Sequence, residues 1–161
     1  MCVTVSVEAQ KSTVTTERFT VEGNVKESKT FTLADLAGLA LQTKDSIVIK
    51  NHLLENKSTI KNIIGVQLKD ILSKVVIDQE SPKLLSEYFI ICIAADNYKV
   101  VFSWNEIFNN ETGKQVLIMT GHDGNTGSEM KDHIALIALS DIATGRRYVK
   151  GLQKIIIERV K

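Results

Sequence analysis

Residues 88–108, YFIICIAADNYKVVFSWNEIF, narrow the fold more than any other stretch of the chain. An apolar run reaches Asp96-Asn97, the chain restarts as an alternating segment, and Ser103 then stands one helical turn before Glu106. Asp and Asn tolerate the left-handed conformations that tight hairpin turns require. Ser-x-x-Glu is a capping box, in which each partner satisfies a free backbone N–H of the other at a helix start. The stretch therefore predicts a buried strand, a two-residue turn, a return strand and a capped helix. Only 6% of the chain is aromatic, yet Tyr98, Phe102, Trp104 and Phe108 gather here. That gathering suits either the rim of a ligand site or a hairpin packed on a helix.

The rest of the chain reads as a mixture of strands and short helices. "CVTVSVEA" alternates and reads as a half-buried strand, and "RFTVEGNVK" repeats the pattern with Gly23-Asn24 as turn material. In "TFTLADLAGL", Thr32 is a good N-cap, Asp35 follows at capping-box spacing, and Leu33, Leu36 and Ala37 are helically spaced. "SIVIKN" predicts a strand, and "HLLENKSTIKN" is polar enough for a loop or a small hairpin. "GVQLKDILSKVV" predicts a helix that lays one face on a sheet, and the single proline, Pro82, marks a connector. "KQVLIMT", "HIALIALS" and "LQKIIIERV" predict strands, separated by the glycine-punctuated "GHDGNTGSEMKD" and the turn-rich "DIATGRRYVKG". About nine strands and three or four helices without strict βαβ alternation give an α+β class, mixed and mostly antiparallel. No linker or repeat divides residues 1–161, so one domain is expected.

Charge excludes some partners. Twenty basic and 19 acidic residues leave a formal net charge of +1, which offers no electrostatic footprint for nucleic acid. No apolar stretch is long enough for a transmembrane helix. As written the chain shows no signal peptide, which points to the cytoplasm. Cys2 directly after Met1 also fits the lipid-bearing cysteine of an exported protein whose leader was removed, which would make it periplasmic or lipid-anchored. Cys92 lies inside an apolar run and reads as a small buried hydrophobe. His52, His122 and His133 lack the i, i+4 spacing of a metal pair, so no metal ligand is assigned.

The residues name no catalytic set either. No Gly-x-Ser-x-Gly elbow is present, and the carboxylates lack a recognisable pairing. The glycines of "GHDGNTGSE" could cradle an anion with backbone amides, or simply turn an exposed loop. Arg146, Arg147 and Lys150 in "TGRRYVKG" suit a phosphate, or a solvated turn.

Taken in order, several segments resemble the molybdopterin-binding domain of the sulfite oxidase type. "FTVEGNV…TFTLADLAGL" is similar to its opening, and "GVQLKDIL" to its Gly-Val-Pro-Leu helix with Gln67 in place of proline. "AADNYKVVFSWNEI" resembles its Ala-x-Asp-Gly-Tyr hairpin with Asn97 in place of glycine, and "GRRYVKGLQKIII" its closing connector and strand. The resemblance implies a cofactor cleft bordered by Asn51 and His52, by Asp96, Asn97 and Tyr98, by His122 and Asp123, and by Arg147 and Lys150. It implies that Trp104 and Phe108 pack beneath the hairpin. It also implies molybdopterin as cofactor, with a cysteine thiolate on molybdenum supplied shortly before the Gly-Val helix. At that place stand Asn51, His52 and Leu53, and an amide or imidazole is not a soft thiolate. Three readings follow: a non-catalytic module for a small anion or a protein partner, an oxidoreductase holding molybdopterin without a protein thiolate, and an exported interaction domain.

Overall fold

The computed structural model describes residues 16–161. The expected first strand, "CVTVSVEA", lies outside them. The described chain is α+β and mostly antiparallel, with short helices, as the sequence predicts. Its first sheet orders the strands β2 (Lys29–Thr32), β1 (Arg18–Gly23), β11 (Leu152–Arg159), β5 (Tyr88–Ala94) and β6 (Lys99–Ser103). Only β1 and β11 run parallel in it. The second sheet orders β10 (Tyr148–Lys150), β9 (Ala135–Ala138), β7 (Val116–His122), β4 (Asn56–Gln67) and β3 (Leu41–Lys50), with the two-residue β8 (Asn125–Thr126) beside β7.

The main core lies between the sheets. Phe19, Ile90, Cys92, Phe102 and Ile155 from the first meet Val66, Val116, Ile118 and Leu136 from the second. A smaller cluster, including Ile49, Ile63, Leu117, Met119 and Ile137, occupies the other face of the second sheet. Strands β7 and β9 are therefore buried on both faces, which is why "VLIM" and "ALIA" are continuously apolar instead of alternating.

The short helices follow local chemistry. In α1 (Leu33–Ala37) and α3 (Trp104–Phe108), Thr32 with Asp35 and Ser103 with Glu106 form the predicted capping boxes. Trp104 is partly buried against the main core. Phe108 stacks on it with centroids 4.1 Å apart and remains 37% exposed, so only the first of the two packs inward as expected.

Two expectations are corrected. "HLLENKSTIKN" is largely strand, because β4 begins at Asn56 and pairs with β3 in a long hairpin. Its outer residues are exposed, so no apolar alternation marks it. The helix expected from Gly65 is confined to α2, Leu68–Leu72. Gly65 instead pairs with Met119, and a Cβ there would lie 2.6 Å from the Ile118 carbonyl oxygen, so β4 and β7 approach closely at this point.

Candidate functional site

The tip of the β3–β4 hairpin is held by one side chain. Asn51 Oδ1 accepts from the N–H groups of Leu53, at 2.9 Å, and Glu55, at 3.0 Å, while Nδ2 donates to Glu55 Oε2 at 2.7 Å. Lys57 Nζ donates to the same carboxylate at 2.9 Å, and these bonds, with Lys57 contributing most, hold the Glu55 carboxyl below its ordinary range.

The connector after β9 is strapped to β3. The Lys50 N–H donates to Thr144 Oγ1 at 2.8 Å, and that hydroxyl donates to the Val48 carbonyl at 2.7 Å. Next to it, a Cβ on Gly145 would stand 2.8 Å from the Lys50 carbonyl oxygen. Glycine is what permits this approach.

The β5–β6 turn supplies the third wall. The reversal is not the expected two-residue Asp96-Asn97 turn: Ala95 and Asp96 form the turn, closed by the Asn97 N–H on the Ala94 carbonyl, and Asn97 follows in the left-handed conformation at φ 69°. Asp96 Oδ1 accepts from the Tyr98 N–H at 3.0 Å, and the Tyr98 hydroxyl donates to the Arg146 carbonyl. Hairpin tip, turn and connector thereby enclose a cleft of about 470 Å³ lined by Ile49, Lys50, Asn51, His52, Lys57, Tyr98, Gly145 and Arg146. The side chains of Lys50, His52 and Arg146 have no hydrogen-bond or ion-pair partner among the described residues. A neighbouring cleft of about 520 Å³, also bordered by Tyr98 and Arg146, runs along β6 to Asp141, Ile142 and Arg147.

Arg147 is engaged differently. Its Nε and Nη2 donate to the Asp141 carboxylate at 2.7 and 2.6 Å, and Nη1 donates to Glu106 at 2.6 Å. The guanidinium also lies 4.3 Å from the centroid of Phe102. The Asp141 bonds foremost, with those to Glu106, raise its pKa above the ordinary arginine value against the opposing effect of burial. This arginine joins the connector to α3 and the core.

Of the residues expected at the cleft, Asn51, His52 and Tyr98 line one concavity, with Asp96 and Asn97 in the adjoining loop. Arg147 borders the neighbouring cleft. His122, Asp123 and Lys150 line neither. Asp123 Oδ1 accepts from the Lys61 N–H at 2.8 Å and Oδ2 bonds His122 Nδ1 at 2.9 Å. Those contacts, Lys61 foremost, lower the Asp123 pKa and tie the β7 end to β4. Lys150 Nζ lies 5.1 Å from the centroid of Tyr148. Sequence reading missed Lys50 and Lys57, which are ordinary strand lysines until the hairpin brings them to its tip. Arg146 was read as one of three cations suited to a phosphate, but only Arg147 and Lys150 of them were placed at the cleft.

The donor set does not fit a thiolate-ligated molybdenum. Cys92, the cysteine among the described residues, is fully buried in β5, and burial pushes its thiol up to about 12. Asn51 is occupied within the tip, and Leu53 is 65% exposed there. No group of three or more His, Cys, Asp or Glu among the described residues could hold a metal ion, and no helix among them is long and apolar enough to cross a membrane.

No protein-family model matches the chain, and no curated protein matches it. Its fold is similar to the crystal structure of the sulfane dehydrogenase SoxCD from Paracoccus pantotrophus, with a TM-score of 0.64 and 16% sequence identity. The match covers 89% of this chain and 39% of that one, so the chain spans well under half the length of that protein. At this identity the likeness establishes a distant relationship of fold.

Proposed function

We propose that this chain is a non-catalytic binding module that takes a small oxyanion in the cleft between the β3–β4 tip, Tyr98 and Arg146. The observation that carries the reading is the meeting of Lys50, His52 and Arg146, none with a side-chain partner among the described residues, in a cleft lined also by Ile49, Tyr98 and Gly145. The Lys50 and Arg146 cations in a partly apolar concavity favour an anion, His52 adds a hydrogen-bonding imidazole, and Arg146 can grip two oxygens at once. Arg147 is excluded from this role because Asp141 and Glu106 already neutralise it. The rival reading, an oxidoreductase holding molybdopterin without a protein thiolate, draws on the likeness to sulfane dehydrogenase and on the same cations.

Calorimetric titration of the protein with inorganic phosphate and sulfate tests the reading. Binding is expected to weaken at least about tenfold in Arg146→Gln, which loses the charge-assisted contacts of the guanidinium, and to persist in Ile142→Ser. Failure of the Arg146 variant to weaken binding would remove the cleft from consideration. Elemental analysis of protein isolated from its native cell separates the rival, which requires one molybdenum per chain.

A further inference from the structure

We propose that the oxyanion held in this cleft carries an aliphatic tail, and that the tail lies in the neighbouring cleft along β6. The proposal rests on the oxyanion reading and names the class of ligand that the site takes. The two clefts, of about 470 and 520 Å³, share Tyr98 and Arg146 as lining residues. The Tyr98 hydroxyl donates to the Arg146 carbonyl, so the ring bridges the β5–β6 turn to the connector and forms a wall common to both. An anion gripped by the Arg146 guanidinium therefore stands at the boundary of the second cleft.

The second cleft suits an uncharged, apolar group. Tyr98, Val101 and Ile142, 43%, 53% and 77% exposed, line it together with Ala143. None of the first three belongs to either core cluster. A large apolar side chain exposed singly is ordinary, but three around one concavity make a patch that favours an apolar ligand. The charges here cancel: Arg147 bonds Asp141 and Glu106, and the negative charge left over in that group offsets Lys99 on the cleft's edge. A tail with a charge of its own meets no surplus of the opposite sign there, whereas an aliphatic one removes apolar surface from water. A cationic cleft that opens beside an apolar one fits an amphiphilic oxyanion, such as an alkyl phosphate or alkyl sulfate.

Calorimetric titration with methyl phosphate and hexyl phosphate tests this, because the two monoesters differ only in the tail. Half-burying a methylene tightens binding about twofold, so hexyl phosphate is expected to bind at least about tenfold more tightly. In 15N NMR its tail should shift the amides of Val101, Ile142 and Ala143, which methyl phosphate leaves in place. Arg146→Gln should weaken both monoesters by the same factor. Ile142→Ser combined with Val101→Thr, at exposed positions outside both core clusters, should cut the advantage of the hexyl ester to under about threefold. Methyl phosphate should bind that double variant unchanged. Equal binding of the two monoesters would overturn the proposal and leave the oxyanion reading intact, while binding of neither would overturn both. A hexyl advantage that survives the double variant would also overturn it, because the tail would then lie elsewhere. Vesicles of phosphatidylcholine containing phosphatidic acid distinguish the source of the ligand. Sedimentation of the protein with them, lost in Arg146→Gln, would assign a membrane lipid. Its absence alongside tight binding of hexyl phosphate would assign a soluble amphiphile, and both results support the tail site.

Discussion

Two hairpins deliver the walls of the cleft, and they are anchored in opposite ways. The β5–β6 hairpin drives Ile90, Cys92, Val100 and Phe102 into the main core and reverses through a tight loop over residues 95–97. The β3–β4 hairpin is longer, but its outer half is exposed, and its tip depends on Asn51 and on Thr144 reaching across from the connector. Leu54 even adopts φ 64° there, a conformation that costs an L residue about 1 kcal/mol. Core packing fixes one wall of the site, while a few hydrogen bonds place the other. Lys50, His52 and Lys57 sit on the second, less anchored wall.

Truncating the packed hairpin should have the largest effect. Phe102 is fully buried and supports Arg147, so Phe102→Ala is expected to lower stability by about 3–5 kcal/mol in denaturant titrations. A loss under 1 kcal/mol would mean that the hairpin is not core-anchored.

Arg147→Met comes next. Removing one member of a buried ionic group costs about 3–5 kcal/mol, while exposed pairs contribute under about 1. With side-chain exposures of 20% for Arg147, 16% for Asp141 and 29% for Glu106, the expected loss is about 2 kcal/mol. Phosphate affinity should survive under conditions where the variant is folded.

Alkaline pH gives a smaller effect from the same hairpin. The folded-state pKa of Cys92 is raised from 9.0 to about 12, so its contribution is complete below pH 9.0 and is lost as pH rises toward about 12. The loss should be about 1 kcal/mol by pH 10, absent in Cys92→Ala. A thiol reagent should label Cys92 only as the protein unfolds.

The smallest global change belongs to the exposed tip. Asn51→Ala removes three hydrogen bonds but no core contact, so stability should fall by about 1 kcal/mol or less. Amide exchange should accelerate around residues 51–57 and leave 88–103 unchanged. Acceleration spreading into β5 would show that the two hairpins open together.

The same contrast explains what could be read in advance. The β5–β6–α3 unit was legible because each step has a local cause: an apolar run, a turn whose Asn97 takes the left-handed conformation, and a Ser103–Glu106 box. The Thr32–Asp35 box was legible for the same reason. Strand β4 was not, because its exposed half buries no face and leaves no periodicity, and Gly65–Gln67 looks helical until β7 is known to lie against it. At the site, Tyr98 and the 51–52 segment came from family-like motifs. The choice between Arg146 and Arg147 did not, since two adjacent arginines differ only in what the fold sets opposite them. Lys50 and Lys57 became relevant through hairpin pairing, a long-range fact that residue type does not carry.

The most direct test maps inorganic phosphate onto the protein by 15N NMR titration. Amides of residues 50–52, 57, 98 and 145–146 should shift together with one affinity, lost in Arg146→Gln. The second polar cluster should stay in place, because the Asp123 carboxylate there already accepts from the Lys61 N–H and bonds His122 Nδ1. Shifts centred on residues 61, 122–123 and 150, or no saturable shift at residues 50–52 and 146, would contradict the assignment of this cleft as the anion site.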